Sequence, residues 1–221
     1  VRNLSFVLTK NNVDYTLYLV TDQKILSGKS LEEAVEQAIF GGCSIVQLRE
    51  KDTDGRVFFE TAKRLREMTA KFSIPLIIND RVDIAMAVGA DGVHLGQKDL
   101  PCKEVRALLG NDRLIGVSAA TVAEAIQAER DGADYLGVGA MHVTATKQNT
   151  RPVTPSLLAE ITGSVSIPVV AIGGISGENV NELQHTGIHG VAVVSAVLGK
   201  PDILEAARTL RSQVEAITHV F

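Results

Sequence analysis

Short apolar runs alternate along the chain with longer stretches in which apolar residues recur every three or four positions. The first pattern suits buried parallel strands and the second suits amphipathic helices packed on them. The strand-like runs are YTLYLVTD from Tyr15, SIVQLRE from Ser44, PLIIND from Pro75 and GVHLG from Gly92. They continue with RLIGVSA from Arg113, ADYLGVGAM from Ala133, IPVVAIGGI from Ile167 and GVAVVSAV from Gly190. Helical patterns lie between them. SLEEAVEQAIFGG carries Ser30 as an N-cap and ends on Gly41 and Gly42. DGRVFFETAKRLREMTAKF, RVDIAMAVGA, PCKEVRALLG, TVAEAIQAERDGA, TPSLLAEITGSV, GENVNELQHTG and DILEAARTLRSQVEAI follow in turn.

Eight strand–helix units in 221 residues predict an α/β fold, a single TIM (β/α)8 barrel, with residues 1–221 as one domain. A doubly wound open sheet is the alternative, but it does not usually need so many units in so short a chain. The phrases Gly89-Ala90-Asp91-Gly92, Gly132-Ala133-Asp134 and Gly187-Ile188-His189-Gly190 each read as a helix end turning into the next strand.

Composition narrows the function. An apolar content of 45% supports a large core and argues against disorder. A net charge of −4 without a basic stripe argues against nucleic acid as a partner. No apolar run is long enough to span a membrane. The opening VRNLSFVLTK lacks a secretory h-region, and Cys43 and Cys102 form neither a CxxC pair nor a zinc cluster. A cytoplasmic protein without disulfides is expected. The partners expected are small molecules, and a homo-oligomer is compatible with the sequence.

In a barrel the chemistry follows the C-terminal ends of the strands. The second strand run breaks pattern there. Val46 and Leu48 share the face suited to packing on helices, whereas Gln47, Arg49 and Lys51 share the other and climb to the mouth. Cations in a barrel mouth are costly to desolvate unless an anion meets them. Asn79-Asp80 ends the third run, and Gln97-Lys98-Asp99 follows the fourth. Carboxylates at neighbouring strand exits can share Mg²⁺, although Asp80 or Asp99 alone could equally cap a helix or form a turn. Ser118 could donate to a phosphate or cap the helix after it. The loop Val143-Thr144-Ala145-Thr146-Lys147-Gln148-Asn149-Thr150 suits a flap over phosphate oxygens, and by itself reads as an ordinary polar loop. Gly173-Gly174 and Val194-Ser195, with a short helix over 195–199, match the phosphate site that barrels build after their last two strands. His94, between Val93 and Leu95, reads as a satisfied core histidine, and His142, His185, His189 and His219 as structural or exposed. The mouth is therefore expected to hold two anion sites, one cationic with a metal and one for a monophosphate.

The ordered motifs QLREK, ND, DGVHLGQ-D, GVSA, TATK, IGGI and VVSA resemble those of the thiamine-phosphate synthase family over nearly the whole chain. The resemblance implies a transferase that joins a hydroxymethylpyrimidine diphosphate to a thiazole phosphate and releases diphosphate. It implies that Gln47, Leu48, Arg49, Glu50, Lys51, Asn79, Ser118 and Lys147 bind the pyrimidine diphosphate. Arg49, Lys51 and Lys147 would act on the leaving group. It makes Thr144, Ala145, Thr146, Gly174, Val194 and Ser195 the thiazole phosphate site. Asp80 and Asp99 become the Mg²⁺ ligands. His142 and the pair Gln148-Asn149 depart from the family's usual pattern in the flap. The alternatives are a thiazole tautomerase barrel, which would not need the carboxylate pair and the cations, and a non-catalytic phosphate-ligand sensor.

Overall fold

The protein is described here from a computed structural model covering residues 12–26, 28–142 and 151–218. Its strands are β1 Leu17–Val20, β2 Ile45–Leu48, β3 Leu76–Asn79, β4 Gly92–Leu95, β5 Leu114–Ala119, β6 Tyr135–Val138, β7 Val169–Ile172 and β8 Gly190–Val193. All pair in parallel, in sequence order, into a closed barrel. Closure comes from β1 against β8, with Tyr18 opposite Ala192. Every expected strand is present, so the barrel stands and the open sheet falls.

The helices are α1 Leu31–Phe40, α2 Gly55–Lys71, α3 Val82–Val88, α4 Cys102–Leu109, α5 Val122–Arg130 and α6 Pro155–Ser164. A four-residue α7, Ser195–Leu198, and the long α8, Ile203–Thr218, complete the set. Ser30 caps α1 as expected, accepting the Glu33 N–H at 3.2 Å. One expectation fails. GENVNELQHTG forms only a 3-10 turn over Val180–Leu183. Its buried residues, Val180 and Leu183, are three apart, which one 3-10 turn satisfies. Asn179 also ties itself to the preceding loop, accepting the Ser176 N–H and donating to the Gly174 carbonyl, both at 2.9 Å.

Alternation along the strands makes two cores. Outward residues such as Leu17, Leu19, Val46 and Leu48 pack under the helices. Inward residues, among them Tyr18, Ile45, Ile77, Tyr135 and Val170, fill the barrel. Each fully buried side chain of this kind contributes about 1.5–3 kcal/mol.

The N-terminal end of the barrel repeats one device four times. Ser44, Asp91, Asp134 and His189 precede β2, β4, β6 and β8. Each donates its backbone N–H to a carbonyl at the foot of the preceding strand, on Leu17, Leu76, Ile115 and Val169 respectively, at 2.8–2.9 Å. Each also accepts the N–H of that same residue on its side chain, at 3.3, 2.8, 2.7 and 3.2 Å in that order. The residue two before each clasp is a glycine at positive φ: Gly42, Gly89, Gly132 and Gly187. That backbone turn is one a side chain would strain. Arginines from α2, α4 and α8 latch onto three of these glycines. Arg66 donates to the Gly89 carbonyl at 2.9 Å, Arg106 to Gly132 at 3.1 Å and Arg211 to Gly42 at 2.7 Å. In the remaining copy Thr162 of α6 donates to the Thr186 carbonyl at 2.5 Å.

Candidate active site

Two adjoining cavities open at the C-terminal ends of the strands. The central one is lined by Gln47, Arg49, Asn79, His94 and Ser118 on one side, and by Gly173, Gly174, Val194 and Ser195 on the other. The second is lined by Arg49, Lys51, Asn79, Asp80, Asp99 and Ser118, with Glu124 and Arg151 at its edge. Arg49, Asn79 and Ser118 line both. The strand alternation that put Gln47, Arg49 and Lys51 on one face therefore leads them to a common mouth.

The structure removes the helix-cap role from three residues. Asp80 is not a helix cap: Arg81 holds that position in α3 and makes no side-chain cap. Asp80 instead sits at φ 61, in the left-handed region that side chains rarely adopt. Its N–H donates to the His94 carbonyl at 2.9 Å, which pins this turn against β4. Strain of this kind gathers where a side chain must be aimed. Asp99 does not cap α4 either, since Pro101 stands there; its Oδ2 accepts the Gly96 N–H at 2.6 Å. Thr121 caps α5, which leaves Ser118 to bond the ring of His94 at 3.0 Å.

The carboxyls of Asp80 and Asp99 lie close enough to shift each other's protonation in opposite directions. Burial disfavours the charge on Asp80, but bonds from Asp99 and Lys51 and the Lys51 charge outweigh it and hold Asp80 below the usual carboxylate value. Burial and the neighbouring Asp80 push Asp99 the other way, above that value. Two carboxyls this close resist sharing two negative charges, and a divalent cation removes that conflict. Among the described residues no cluster of three or more His, Cys, Asp or Glu side chains could hold a metal. A pair of carboxylates at an open cavity fits Mg²⁺, which takes one or two carboxylates and completes its shell with phosphate oxygens and water. Lys51 forms an ion pair with Asp80, so one cation already leans over this edge.

Some expected site residues point elsewhere. Leu48 is fully buried in the layer under the helices, so only its backbone can reach a ligand. Glu50 turns to the loop after β1, accepting from Gln23 at 2.7 Å and from Thr53 at 3.0 Å. Both placements follow from the alternation itself, which faces every second residue away from the mouth. Thr144, Ala145, Thr146 and Lys147 lie outside the described residues. His142 pairs with Glu182 at 3.7 Å beside the Gly173-Gly174 turn.

Sequence reasoning missed other parts of the mouth. His94 is buried, as a core histidine would be, yet it lines the central cavity. Gln97 donates to the Ser118 carbonyl at 2.7 Å and fixes the β5 exit from the β4 loop. Arg151 pairs with Glu124 at 2.7 Å at the rim. Gln97 beside Asp99 was a usable signal. Arg151, an isolated cation after a loop, gave none.

Residues 17–197 match the family model described as thiamine monophosphate synthase. The thiamine-phosphate synthase of Ruminiclostridium cellulolyticum is 55% identical over 201 residues, covering 91% of this chain and 96% of that one. That of Clostridium beijerinckii is 52% identical over 204 residues, covering 92% and 98%. Among solved structures, the thiamine phosphate pyrophosphorylase from Pyrococcus furiosus superposes with a TM-score of 0.85 at 39% identity, covering 93% of this chain and 98% of that one. A 3-hexulose-6-phosphate synthase superposes at 0.64 with 18% identity, a likeness of the barrel alone.

Proposed function

This chain belongs to the thiamine monophosphate synthase family, and we propose that its mouth seats one phosphorylated substrate in each half. It is a transferase of thiamine biosynthesis, a thiamine-phosphate synthase. It condenses 4-amino-2-methyl-5-(diphosphooxymethyl)pyrimidine with a 4-methyl-5-(2-phosphoethyl)thiazole, or its carboxylated form, into thiamine phosphate and diphosphate. The observation that carries the division of the mouth is the pair of adjoining cavities with Arg49, Asn79 and Ser118 in both walls. Two ligands seated there meet at a shared boundary.

In this reading the carboxylate edge takes the diphosphate. Asp80 and Asp99 would hold Mg²⁺, which when bound supplies positive charge to the diphosphate oxygens. Arg49 and Lys51, with Lys147, offset the charge that grows on the departing diphosphate. Gln47, Asn79 and Ser118 hold the pyrimidine ring in place. Gly174, Val194 and Ser195, with Thr144, Ala145 and Thr146, take the thiazole phosphate. The methylene C–O bond breaks and its electron pair leaves with diphosphate. The thiazole nitrogen then gives its lone pair to the methylene carbon and closes the C–N bond. No protein nucleophile is needed, and placing the nitrogen at the carbon is a positioning effect. A tautomerase would leave the carboxylate pair and its attendant cations without a task.

The whole of residues 1–221 as one catalytic domain, and a cytoplasmic location, belong to the same reading. Among the described residues no helix is long and apolar enough to cross a membrane. The test is incubation of the purified protein with both phosphorylated substrates, with and without Mg²⁺. Thiamine phosphate and diphosphate are expected in equal amounts and only with the metal. A protein that binds both substrates and turns over neither would be a sensor.

A further inference from the structure

Beneath the mouth a chain of hydrogen bonds crosses the barrel interior. Gln47 Nε2 donates to the Tyr18 hydroxyl at 2.8 Å, and the Tyr18 and Tyr135 hydroxyls are 2.8 Å apart. The Tyr135 hydroxyl lies 3.2 Å from His94 Nδ1, and His94 Nε2 lies 3.0 Å from Ser118 Oγ. These side chains come from β2, β1, β6, β4 and β5 in that order. Tyr18 and Tyr135 are 1% exposed, so water does not interrupt the chain between them. Backbone space is cleared for it. A Cβ on Gly116 would run into the Tyr135 hydroxyl and His94 Nδ1, and one on Gly137 would come within 2.9 Å of His94 Cε1.

Of the two directions these contacts allow, one gives every proton an acceptor, and the head of the chain selects it. An amide nitrogen only donates. The Tyr18 hydroxyl accepts from Gln47 and spends its own proton on Tyr135. Tyr135 in turn spends its proton on His94 Nδ1. A neutral imidazole that accepts at Nδ1 carries its proton on Nε2. That proton goes to Ser118 Oγ, and the Ser118 proton is left for the cavity. At the other end Gln47 keeps its carbonyl oxygen for the same cavity. One end of the relay thus offers an acceptor and the other a donor.

We propose that Tyr18, Tyr135 and His94 form a positioning relay that fixes the hydrogen-bond polarity of Gln47 and Ser118. The relay makes the mouth read a ring that brings a donor to Gln47 and an acceptor to Ser118, as an aminopyrimidine does. It rests on the synthase reading for that ligand, whereas the relay itself can be tested without turnover.

The test is nitrogen-15 NMR of the His94 ring in the full-length protein, with Tyr18→Phe, Tyr135→Phe and the double variant measured beside it. The native protein is expected to show a single tautomer, protonated at Nε2. Each single variant should show mixed tautomers and lose about tenfold in kcat/KM for the pyrimidine diphosphate, the worth of one hydrogen bond. The KM for the thiazole phosphate should stay unchanged, and the double variant should lose no more than the worse single one. A native ring protonated at Nδ1, or at both nitrogens, overturns the relay. So do losses that multiply in the double variant, because independent packing defects would do that. A native protein with the Nε2 tautomer but no thiamine phosphate product keeps the relay and overturns the synthase reading.

Discussion

At the foot of the barrel the arginines are saturated, and at its mouth Arg49 is not. Arg106 donates to the carbonyls of Gly110, Arg113 and Gly132 and pairs with Asp134 at 2.5 Å. Arg66 and Arg211 are held in the same manner against Asp91 and Asp14, at 3.1 and 2.8 Å. Arg49, at the mouth, makes no side-chain hydrogen bond or ion pair with a described residue; only its backbone N–H is held, by Thr21 at 3.1 Å. A cation enclosed by protein oxygens is structural. One that faces a cavity without a partner is set to meet an anion from outside. The foot also repeats itself four times, while each loop at the mouth differs. Repetition at one end and variety at the other separate what holds the barrel from what it does.

The sharpest break in that comparison is Arg49→Ala. It should lower the rate about 10²–10³-fold, the cost of removing one group aimed at growing charge, and leave the urea unfolding midpoint unchanged. A variant that unfolded early with an intact rate would place Arg49 among the structural cations. Arg106→Ala should do the reverse. It takes the guanidinium from the mostly buried Asp134, which keeps the Ile115 N–H, and should cost about 3 kcal/mol in urea unfolding, with kcat/KM preserved in the folded fraction. The smallest effect concerns pH at the foot. Burial lowers the pKa of His189 from 6.5, so the native ring resists a proton that the unfolded chain accepts. Below pH 6.5 the unfolded state therefore binds more protons, and stability falls as the pH drops toward the native value. Urea midpoints at pH 7.5 and 5.5 should differ less in His189→Asn, whose side-chain oxygen can accept the Val169 N–H without titrating. An equal difference in both proteins would remove His189 from the acid response.

Much of the fold was legible because period and punctuation agree along the chain. Each strand run was apolar, and Ser30 and Gly41 bounded α1 as written. Three copies of the foot device were visible as Gly-x-Asp or Gly-x-His. The fourth, Gly42-Cys43-Ser44, was hidden by a hydroxyl in place of an ionisable or imidazole acceptor. The mouth was legible where alternation applied, as for Gln47, Arg49 and Lys51. It was illegible where register across strands decides. Tyr18 and Tyr135 are 117 residues apart, and nothing local to either marks the hydroxyl contact between them. Asp80 could be read as a cap or as a ligand, and only the structure removes the cap, whose position Arg81 holds.

The clasps at the foot have a consequence for how the chain could be divided. Each clasp ties an odd strand to the even strand after it, and none spans the junction between β4 and β5. A polypeptide interrupted after α4 would leave β1 to β4 in one piece and β5 to β8 in the other, with two complete clasps in each. Two of the four latches do the opposite. Arg106 of the first piece reaches Gly132 and Asp134 of the second, and Arg211 of the second reaches Gly42 and Asp14 of the first. The barrel is thus marked along its own bonding for two complementary halves, each internally closed at the foot and each holding an arginine key to the other.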